Sequence, residues 1–277
     1  MREIKEEMKE RGSKKETIEN KKINLTDNDA NYMKERAGCI KPNYNSQIAV
    51  EEEHQLILAN DVVTEANDLN QFSPMVDKIV SNTKSHPQEL KADAGYHSEK
   101  NIVLAEELES DVLINDPNKN KVGSEEDKYD KVNFIYDEER DVYICPEGKE
   151  LVRKATSKGG RTIYTGNECS SCANKKRCTK KSENRTVTRK SNEKLIEQNR
   201  EKLLSSEGKA SYKKRMHTVE PVFGNIKHNL GYRSFLLRGL KNVQGEFTLM
   251  CIAHNIKKMF TWITNKKIPD NQLSHAF

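Results

Sequence analysis

The sequence of 277 residues predicts an α/β fold, because strand-like and helix-like patterns alternate along its first half. Residues 44–50 and the stretch from 56 onward flank an acidic turn, as in a β-hairpin. Residues 70–82 space their apolar side chains for one face of a helix. Two short apolar runs follow, one ending at Asp93 and one at 111–115, and each is typical of a buried strand. This order of strands and helices indicates a layered α/β domain.

Further helices connect and follow these strands. Ser98 is placed to cap a helix between the two short strands. Beyond residue 191 the periodicity predicts three more helices, at 191–205, about 207–230 and 242–264. The last of them carries an apolar stripe made of Val243, Phe247, Met250, Ala253, Ile256, Phe260 and Ile263.

The stretch 116–190 interrupts this pattern, since it is polar and contains four of the six cysteines. We therefore expect five segments. They are a charged helix or linker at 1–23, the first part of the α/β domain at 24–115, a cysteine-rich insertion at 116–190, a helical part of the same domain at 191–264 and a tail at 265–277.

The charge is distributed unevenly along the chain. Residues 149–240 hold 23 Lys and Arg against 8 Asp and Glu, a net charge of +15, whereas the remainder carries −10. Such a basic field favours a phosphate backbone, because neutralising the phosphates releases counterions; an ordinary lysine-rich surface is the alternative. No apolar run is long enough to span a membrane and the first residues are not a secretory signal, so we expect a cytoplasmic protein.

The cysteines of the insertion have a spacing suited to a metal. Cys145, Cys169, Cys172 and Cys178 follow the pattern C-x23-C-x2-C-x5-C. Two thiolates on a tight turn and two on flanking segments can close a tetrahedral zinc site, which would stabilise an insertion lacking a core of its own. Ordinary cysteines and a redox Cys-x-x-Cys pair are the alternatives. Cys251, on the apolar C-terminal helix, is expected in the core.

The segment around Glu220 predicts an amphipathic helix. Its buried face would consist of Tyr212, Met216, Val219, Phe223, Ile226 and Leu230. The neighbouring stripe consists of Lys213, His217, Glu220, Gly224 and Lys227. Gly224 leaves the Glu220 carboxylate unshielded, Pro221 should bend the helix beside it, and Lys227 is placed to contact a phosphate. A solvated glutamate on a surface helix is the alternative.

Three motifs, ADAGYHSEKN, CPEGKEL…CSSCANKKRCT and RMHTVEPVFGNIKHNLGYRSFLLRGL, occur in this order, after a stretch that begins LTDNDANY. Together they resemble the DDE-type insertion-sequence transposases whose RNase H-like domain carries a cysteine-rich insertion. The resemblance covers about residues 24–262. It implies an RNase H-like mixed sheet with flanking helices, interrupted by a small zinc-ribbon-like insertion.

The resemblance also implies a mechanism. In such enzymes two Asp and one Glu bind two Mg²⁺ ions for attack on a phosphodiester, and carboxylates are the hard oxygen ligands that Mg²⁺ takes. Asp93 matches the second Asp, and Glu220 matches the Glu of the family signature Tyr-x2-Arg-x3-Glu-x6-Lys. Here four residues separate Arg215 from Glu220, which turns Arg215 by about 100° around the helix. Asp93 and Glu220 are thus the catalytic and Mg²⁺-binding candidates.

One part of the family pattern is missing. The family carries its first Asp in an Asp-Gly-Thr segment on the first, central strand, and this sequence has no Asp-Gly dipeptide. Asp27 and Asp29 match a later stretch of the family, while Asp61 and Asp68 lie on or after the hairpin. We therefore expect an N-terminally truncated, catalytically incomplete transposase whose flanking strands lack their central partner.

The resemblance implies double-stranded DNA as the partner, at the terminal repeats of an insertion sequence, bound by a homodimer at the bacterial nucleoid. The candidate contacts with the DNA backbone are Tyr212, Lys213, Lys214, Arg215, Lys227, Arg233 and Arg238. Lys175, Lys176 and Arg177 form a further basic patch inside the cysteine loop. A non-enzymatic, zinc-stapled DNA-binding remnant and an unstable relic without function are the alternatives.

Overall fold

The computed structural model describes residues 23–35, 38–108, 110–157, 159–180 and 184–264. The segments predicted as a charged helix or linker and as a tail therefore lie outside the described residues, except for residue 23. Within the described ranges, no helix combines the length and the apolar character needed to cross a lipid bilayer.

The described residues form a mixed α/β structure, which agrees with the α/β class predicted from the sequence. The strands are β1 (Asn31–Lys34), β2 (Ile40–Asn43), β3 (Asn45–Val50), β4 (Ile57–Val63), β5 (Glu89–Ala92), β6 (Asp111–Ile114), β7 (Ile135–Asp137), β8 (Val142–Ile144), β9 (Glu150–Thr156), β10 (Thr162–Gly166) and β11 (Thr186–Arg189). The helices are α1 (Phe72–Thr83), α2 (Glu99–Glu107), the short α3 (Lys175–Cys178), α4 (Glu193–Leu204), α5 (Ser206–Gly224) and α6 (Leu240–Thr264).

The chain divides into two compact units. Unit one comprises Met1–Asp68, Asp77–Asn82 and Thr218–Phe277, and unit two comprises Leu69–Val76 and Thr83–His217. Unit one contains the predicted hairpin β3–β4, the β1–β2 hairpin that the sequence pattern did not reveal, and α6. Unit two contains the parallel pair β5–β6 and a five-stranded sheet.

In unit one α6 packs along β4. The core is formed by Ile57, Val62, Val222, Ile226, Val243, Phe247, Met250 and Cys251, so Cys251 is in the core as predicted. Polar side chains of α6 bind β4 directly: the Gln244 amide donates to the Val62 carbonyl over 3.0 Å. Asn255 accepts from the Ile57 N–H and donates to the Ile57 carbonyl, each over 2.9 Å.

The apolar stripe predicted for α6 is wrong in its second half. Val243, Phe247 and Met250 are buried, whereas Ile256 and Phe260 are 60% and 64% exposed. Ile263 is 39% exposed. The buried face continues instead through Cys251 and His254, because the helix turns this side toward β4 and Gln55. Periodicity fixed the spacing of the face but not which of two adjacent apolar stripes the core covers.

In unit two β5 and β6 pair in parallel, with Ala92 opposite Ile114. Ser98 caps α2 by accepting from the Asn101 N–H, as predicted. Helix α4 joins β6 through Asn199, whose amide group accepts from the Ile114 N–H (3.2 Å) and donates to its carbonyl (2.7 Å). These contacts fix the carboxyl ends of β5 and β6, where the candidate Asp93 begins the next turn.

The segment predicted as a cysteine-rich insertion, 116–190, contains a five-stranded antiparallel sheet in the order β11-β10-β9-β8-β7. Its core consists of Phe134, Tyr143, Leu151, Tyr164 and Val187. The expectation that the insertion lacks a core of its own is therefore wrong. Its core takes one residue from each of several short segments, so no long run of apolar residues marks the core in the sequence.

Helix α5 buries only part of the predicted face. Ile226 is buried as predicted, whereas Met216 is 53% exposed. Val222 and Thr218, which precede Ile226 by one and two steps of four and were not predicted to be buried, complete the buried side. The helix continues through Pro221 to Gly224 and then widens into a π-helical turn, Asn225–Asn229.

The strands predicted to flank a missing central strand belong to separate sheets. Among the described residues, β3–β4 form one two-stranded sheet and β5–β6 another, and no further strand pairs with either. An RNase H-like arrangement with its first central strand absent stays a prediction.

Candidate active site and nucleic-acid interface

Asp93 lies directly after β5, at the start of a single 3₁₀ turn. Its carboxylate accepts a hydrogen bond of 2.7 Å from the Ala94 N–H, so the side chain caps the turn. The carboxylate is 53% exposed, and its second oxygen lies 3.2 Å from the Arg215 guanidinium.

Two side chains of α5 face this strand end. Tyr212 and Arg215 are three residues apart and therefore lie on the same side of the helix. The Tyr212 hydroxyl donates to the Ala92 carbonyl over 3.3 Å, and the Lys119 ammonium lies 4.9 Å from the centre of its ring. Burial raises the pKa of Tyr212, and Arg215 opposes this effect. Both predicted DNA contacts are thus engaged with the Asp93 turn.

Glu220, unlike Asp93, has no partner among the described residues. It lies on the exposed side of α5, and its carboxylate has no hydrogen bond or ion pair with any described residue. It belongs to unit one, whereas Asp93 belongs to unit two. Glu220 is therefore a free carboxylate beside a helix irregularity, since the π-helical turn starts five residues later. Such turns are common at functional sites.

Asp27 and Asp29 have structural roles that the sequence did not reveal. Asp27 accepts from the Tyr44 hydroxyl (2.8 Å) and from the Gly239 N–H (3.2 Å). Asp29 accepts from the Leu240 N–H over 2.8 Å. Both carboxylates therefore satisfy N–H groups at the start of α6, where a negative charge also complements the helix dipole.

Asp61 and Asp68 are also engaged. Asp61 lies 2.7 Å from the Lys78 ammonium and accepts from Gln244 over 3.1 Å. Asp68 accepts from Asn45 (2.7 Å) and Gln47 (2.8 Å). Each carboxylate considered as a third metal ligand is thus part of the hydrogen-bond network of unit one.

A buried charge cluster follows β6, and sequence reasoning missed it. Asp116 is fully buried, and its carboxylate lies 2.6 Å from the Arg200 Nε and 3.8 Å from the His97 Nε2. The His97 Nε2 is buried and has no hydrogen-bond partner among the described residues. Burial lowers the pKa of His97, and Asp116 opposes this effect. Since β5 and β6 are parallel, Asp93 and Asp116 follow the same end of the sheet, a placement that the similar runs ELKAD and DVLIND could have indicated.

The four cysteines of the insertion surround one cavity. Cys145, Cys169, Cys172 and Cys178 are free thiols that line it together. The Lys149 N–H donates to the Cys145 sulfur over 3.4 Å, and a Cβ at Gly166 would come within 2.6 Å of the Cys169 sulfur. Burial raises the pKa of Cys178, against the effect of Arg185. Nowhere in the described ranges, however, do three His, Cys, Asp or Glu side chains approach closely enough to hold a metal ion.

The remaining predicted DNA contacts lie on the surface. Lys213, Lys214, Lys227, Arg233 and Arg238 are all exposed. The Lys227 ammonium lies 5.6 Å from the centre of the Phe223 ring, a cation–π contact that leaves the charge accessible. Within the cysteine loop, Lys176 and Arg177 are exposed and Lys175 is half-buried.

Comparison with models of protein families gives a match. The family model described as Transposase DDE domain matches residues 144–260, which is less than half of the chain. The matched range contains Glu220, the four cysteines and every predicted DNA contact, but not Asp93. No curated protein and no solved structure matches the chain. Residues 144–260 are therefore similar to the DDE domain of transposases.

Proposed function

We propose that the chain is a DNA-binding transposase that does not complete the carboxylate site for strand cleavage by itself. The family match supports DNA transposition as the general function. The observation that carries the proposal is the engagement of the Asp carboxylates: Asp93 pairs with Arg215, and the four other candidates are bound within unit one. Glu220 alone is free.

Mg²⁺ is the cofactor that the family implies, and two of the residues present have suitable chemistry. Asp93 and Glu220 offer hard oxygen ligands. The Arg215 guanidinium, however, already neutralises Asp93, and no group of three ligands exists among the described residues. Asp93, held in its ion pair with Arg215, does not fit the role of a metal ligand in this structure.

DNA binding, in this proposal, depends on the basic segment, residues 149–240, and not on the carboxylates. Lys213, Lys227, Arg233 and Arg238 have no ion-pair partner among the described residues, so their charges are available for phosphates. Arg supplies a bidentate contact and Lys a point charge. The DNA at element ends, bound by two copies of the chain, is the partner that we propose.

We expect the affinity for duplex DNA to fall steeply with salt, by at least about 100-fold between 50 mM and 200 mM, because several phosphates are neutralised. Lys227→Gln should lower the slope of log K against log salt by about one. Lys100→Gln is the matched control, since Lys100 is an exposed lysine of α2 outside the basic segment. Fluorescence anisotropy with a labelled duplex measures all three proteins.

The same protein should neither nick nor join DNA ends in Mg²⁺ or Mn²⁺. Strand-transfer and nicking assays with terminal-repeat DNA check this expectation. Robust turnover that disappears in Asp93→Ala would contradict the incomplete site while leaving DNA binding intact.

A second candidate function, a non-enzymatic DNA-binding remnant stabilised by zinc, is favoured by the four thiols around one cavity. Four cysteine sulfurs are a suitable ligand set for zinc, although their placement does not close the site. We expect one zinc ion per chain in protein with reduced thiols, lost in Cys169→Ser/Cys172→Ser and retained in Cys39→Ser, an exposed cysteine of unit one. Metal analysis that finds no zinc would exclude this candidate.

A further inference from the structure

Two leucines protrude from the loop between the π-helical turn and α6. Leu236 is 86% exposed, more than any other large apolar side chain in the part of the chain that the structure describes, and Leu237 is 52% exposed. We call Leu236 and Leu237 the leucine tip. Adjacent exposed leucines on a loop indicate a contact surface rather than a folding element.

The backbone of the leucine tip is held by contacts with α6 and with neighbouring aromatic rings. The Glu246 carboxylate accepts from the Leu236 N–H over 2.8 Å and from the Leu237 N–H over 2.9 Å. Phe235 packs edge-to-face on Tyr44 and Phe247, with ring centres 6.2 Å and 6.1 Å apart. The backbone of the tip is therefore fixed while its side chains point away from the core, which lowers the entropy lost on binding.

The chain on both sides of the leucine tip is basic. Arg233 precedes it and Arg238 follows it, and both are exposed. Neither guanidinium has a hydrogen bond or an ion pair with a described residue. Residues 231–241 contain no Asp or Glu, and the carboxylates beside this loop, those of Glu246, Asp27 and Asp29, accept hydrogen bonds from backbone N–H groups of residues 236–240. The free charges complement a polyanion rather than the apolar pocket of another protein.

We propose that the leucine tip is a wedge that enters between base pairs of duplex DNA, while Arg233 and Arg238 bind phosphates on either side. Apolar side chains inserted at a base step unstack it and kink the duplex, and flanking arginines hold the backbone in register. Flexible pyrimidine–purine steps are the favoured sites, because they unstack at the lowest cost. This inference rests on the DNA-binding function proposed above and adds a deformation of the DNA to it.

The test uses the full chain and short duplexes that carry 2-aminopurine at TA steps. Wild-type protein should raise the fluorescence of 2-aminopurine on binding, because the base loses its stacking partner. Leu236→Ala/Leu237→Ala should abolish this rise and weaken binding by about tenfold, the effect expected from losing one apolar anchor. For this double variant the slope of log K against log salt should stay unchanged, since the phosphate contacts remain. Leu249→Ala is the control, because Leu249 is a 68% exposed leucine of α6 in the same unit.

The outcomes separate the two proposals. Salt-dependent binding by wild-type protein without a change in fluorescence overturns the wedge and leaves the DNA-binding function standing. Equal fluorescence changes for wild-type protein and the double variant also overturn it. Loss of self-association in sedimentation, with DNA binding unchanged, would assign the tip to a protein partner instead. Wild-type protein that binds no DNA overturns the proposed function and the wedge together.

Discussion

Asp116→Ala should destabilise unit two by about 3–5 kcal/mol, because it leaves the Arg200 guanidinium buried without its partner. The Asp116 side chain is fully buried and that of Arg200 is only 12% exposed, so water cannot replace the lost carboxylate. Asp116 also accepts from the Asn118 N–H over 2.7 Å, and this donor would lose its partner as well. Urea denaturation followed by circular dichroism gives the change in the free energy of unfolding.

A double variant distinguishes two effects on the free energy of unfolding: the destabilisation from leaving Arg200 buried without a partner, and the net contribution of the Asp116–Arg200 ion pair. Asp116→Leu/Arg200→Met removes both charges and should recover most of the stability, since an apolar pair of similar size needs no desolvation of ions. Hydrogen exchange should show the loss of protection in Asp116→Ala around β6 and α4. A single variant as stable as wild type would mean that the carboxylate is hydrated in solution.

Tyr143→Ala should destabilise the insertion by about 3–5 kcal/mol, the usual cost of truncating a buried aromatic side chain. Tyr143 is 1% exposed and its ring lies 5.0 Å from that of Tyr136 and 5.1 Å from that of Tyr164. Burial raises the pKa of Tyr143 to about 12, so the side chain stays neutral over the range in which the protein is handled. Hydrogen exchange of the backbone amides in β8, β9 and β10 measures this loss of stability.

Tyr143→Phe is the matched control. It keeps the ring and removes only the hydroxyl, which accepts from Arg189 over 3.0 Å. Arg189 retains its ion pair with Glu197, so the cost should be about 1 kcal/mol. If Tyr143→Ala is tolerated while a chelator unfolds the insertion, a metal rather than the tyrosine core stabilises this sheet.

Local patterns predicted the elements whose signals lie close together in sequence. The Ser98 cap, the β3–β4 hairpin and the strand that ends before Asp93 all follow from neighbouring residues. The candidate carboxylates Asp93 and Glu220 could be named for the same reason, from short motifs. Their surroundings could not, because the Arg215 partner of Asp93 depends on how α5 packs against β5.

Contacts between distant parts of the sequence account for what the patterns missed. Asp29 binds the N–H of Leu240, and Asp116 binds Arg200, across 211 and 84 residues. A charged residue after an apolar run is usually a solvated turn residue, so nothing marked Asp116 as buried. The five-stranded sheet was missed because its strands are short and polar, and its core becomes continuous only when they pair.

The amide of Asn255 has a consequence for how this protein behaves at high concentration. By binding both the N–H and the carbonyl of Ile57, it occupies the two groups through which a second molecule could extend the sheet. The Asn255 side chain thereby makes the two hydrogen bonds that a neighbouring strand would make to Ile57. It blocks edge-to-edge polymerisation at that position. A helix amide in this place is a built-in protection against fibril growth.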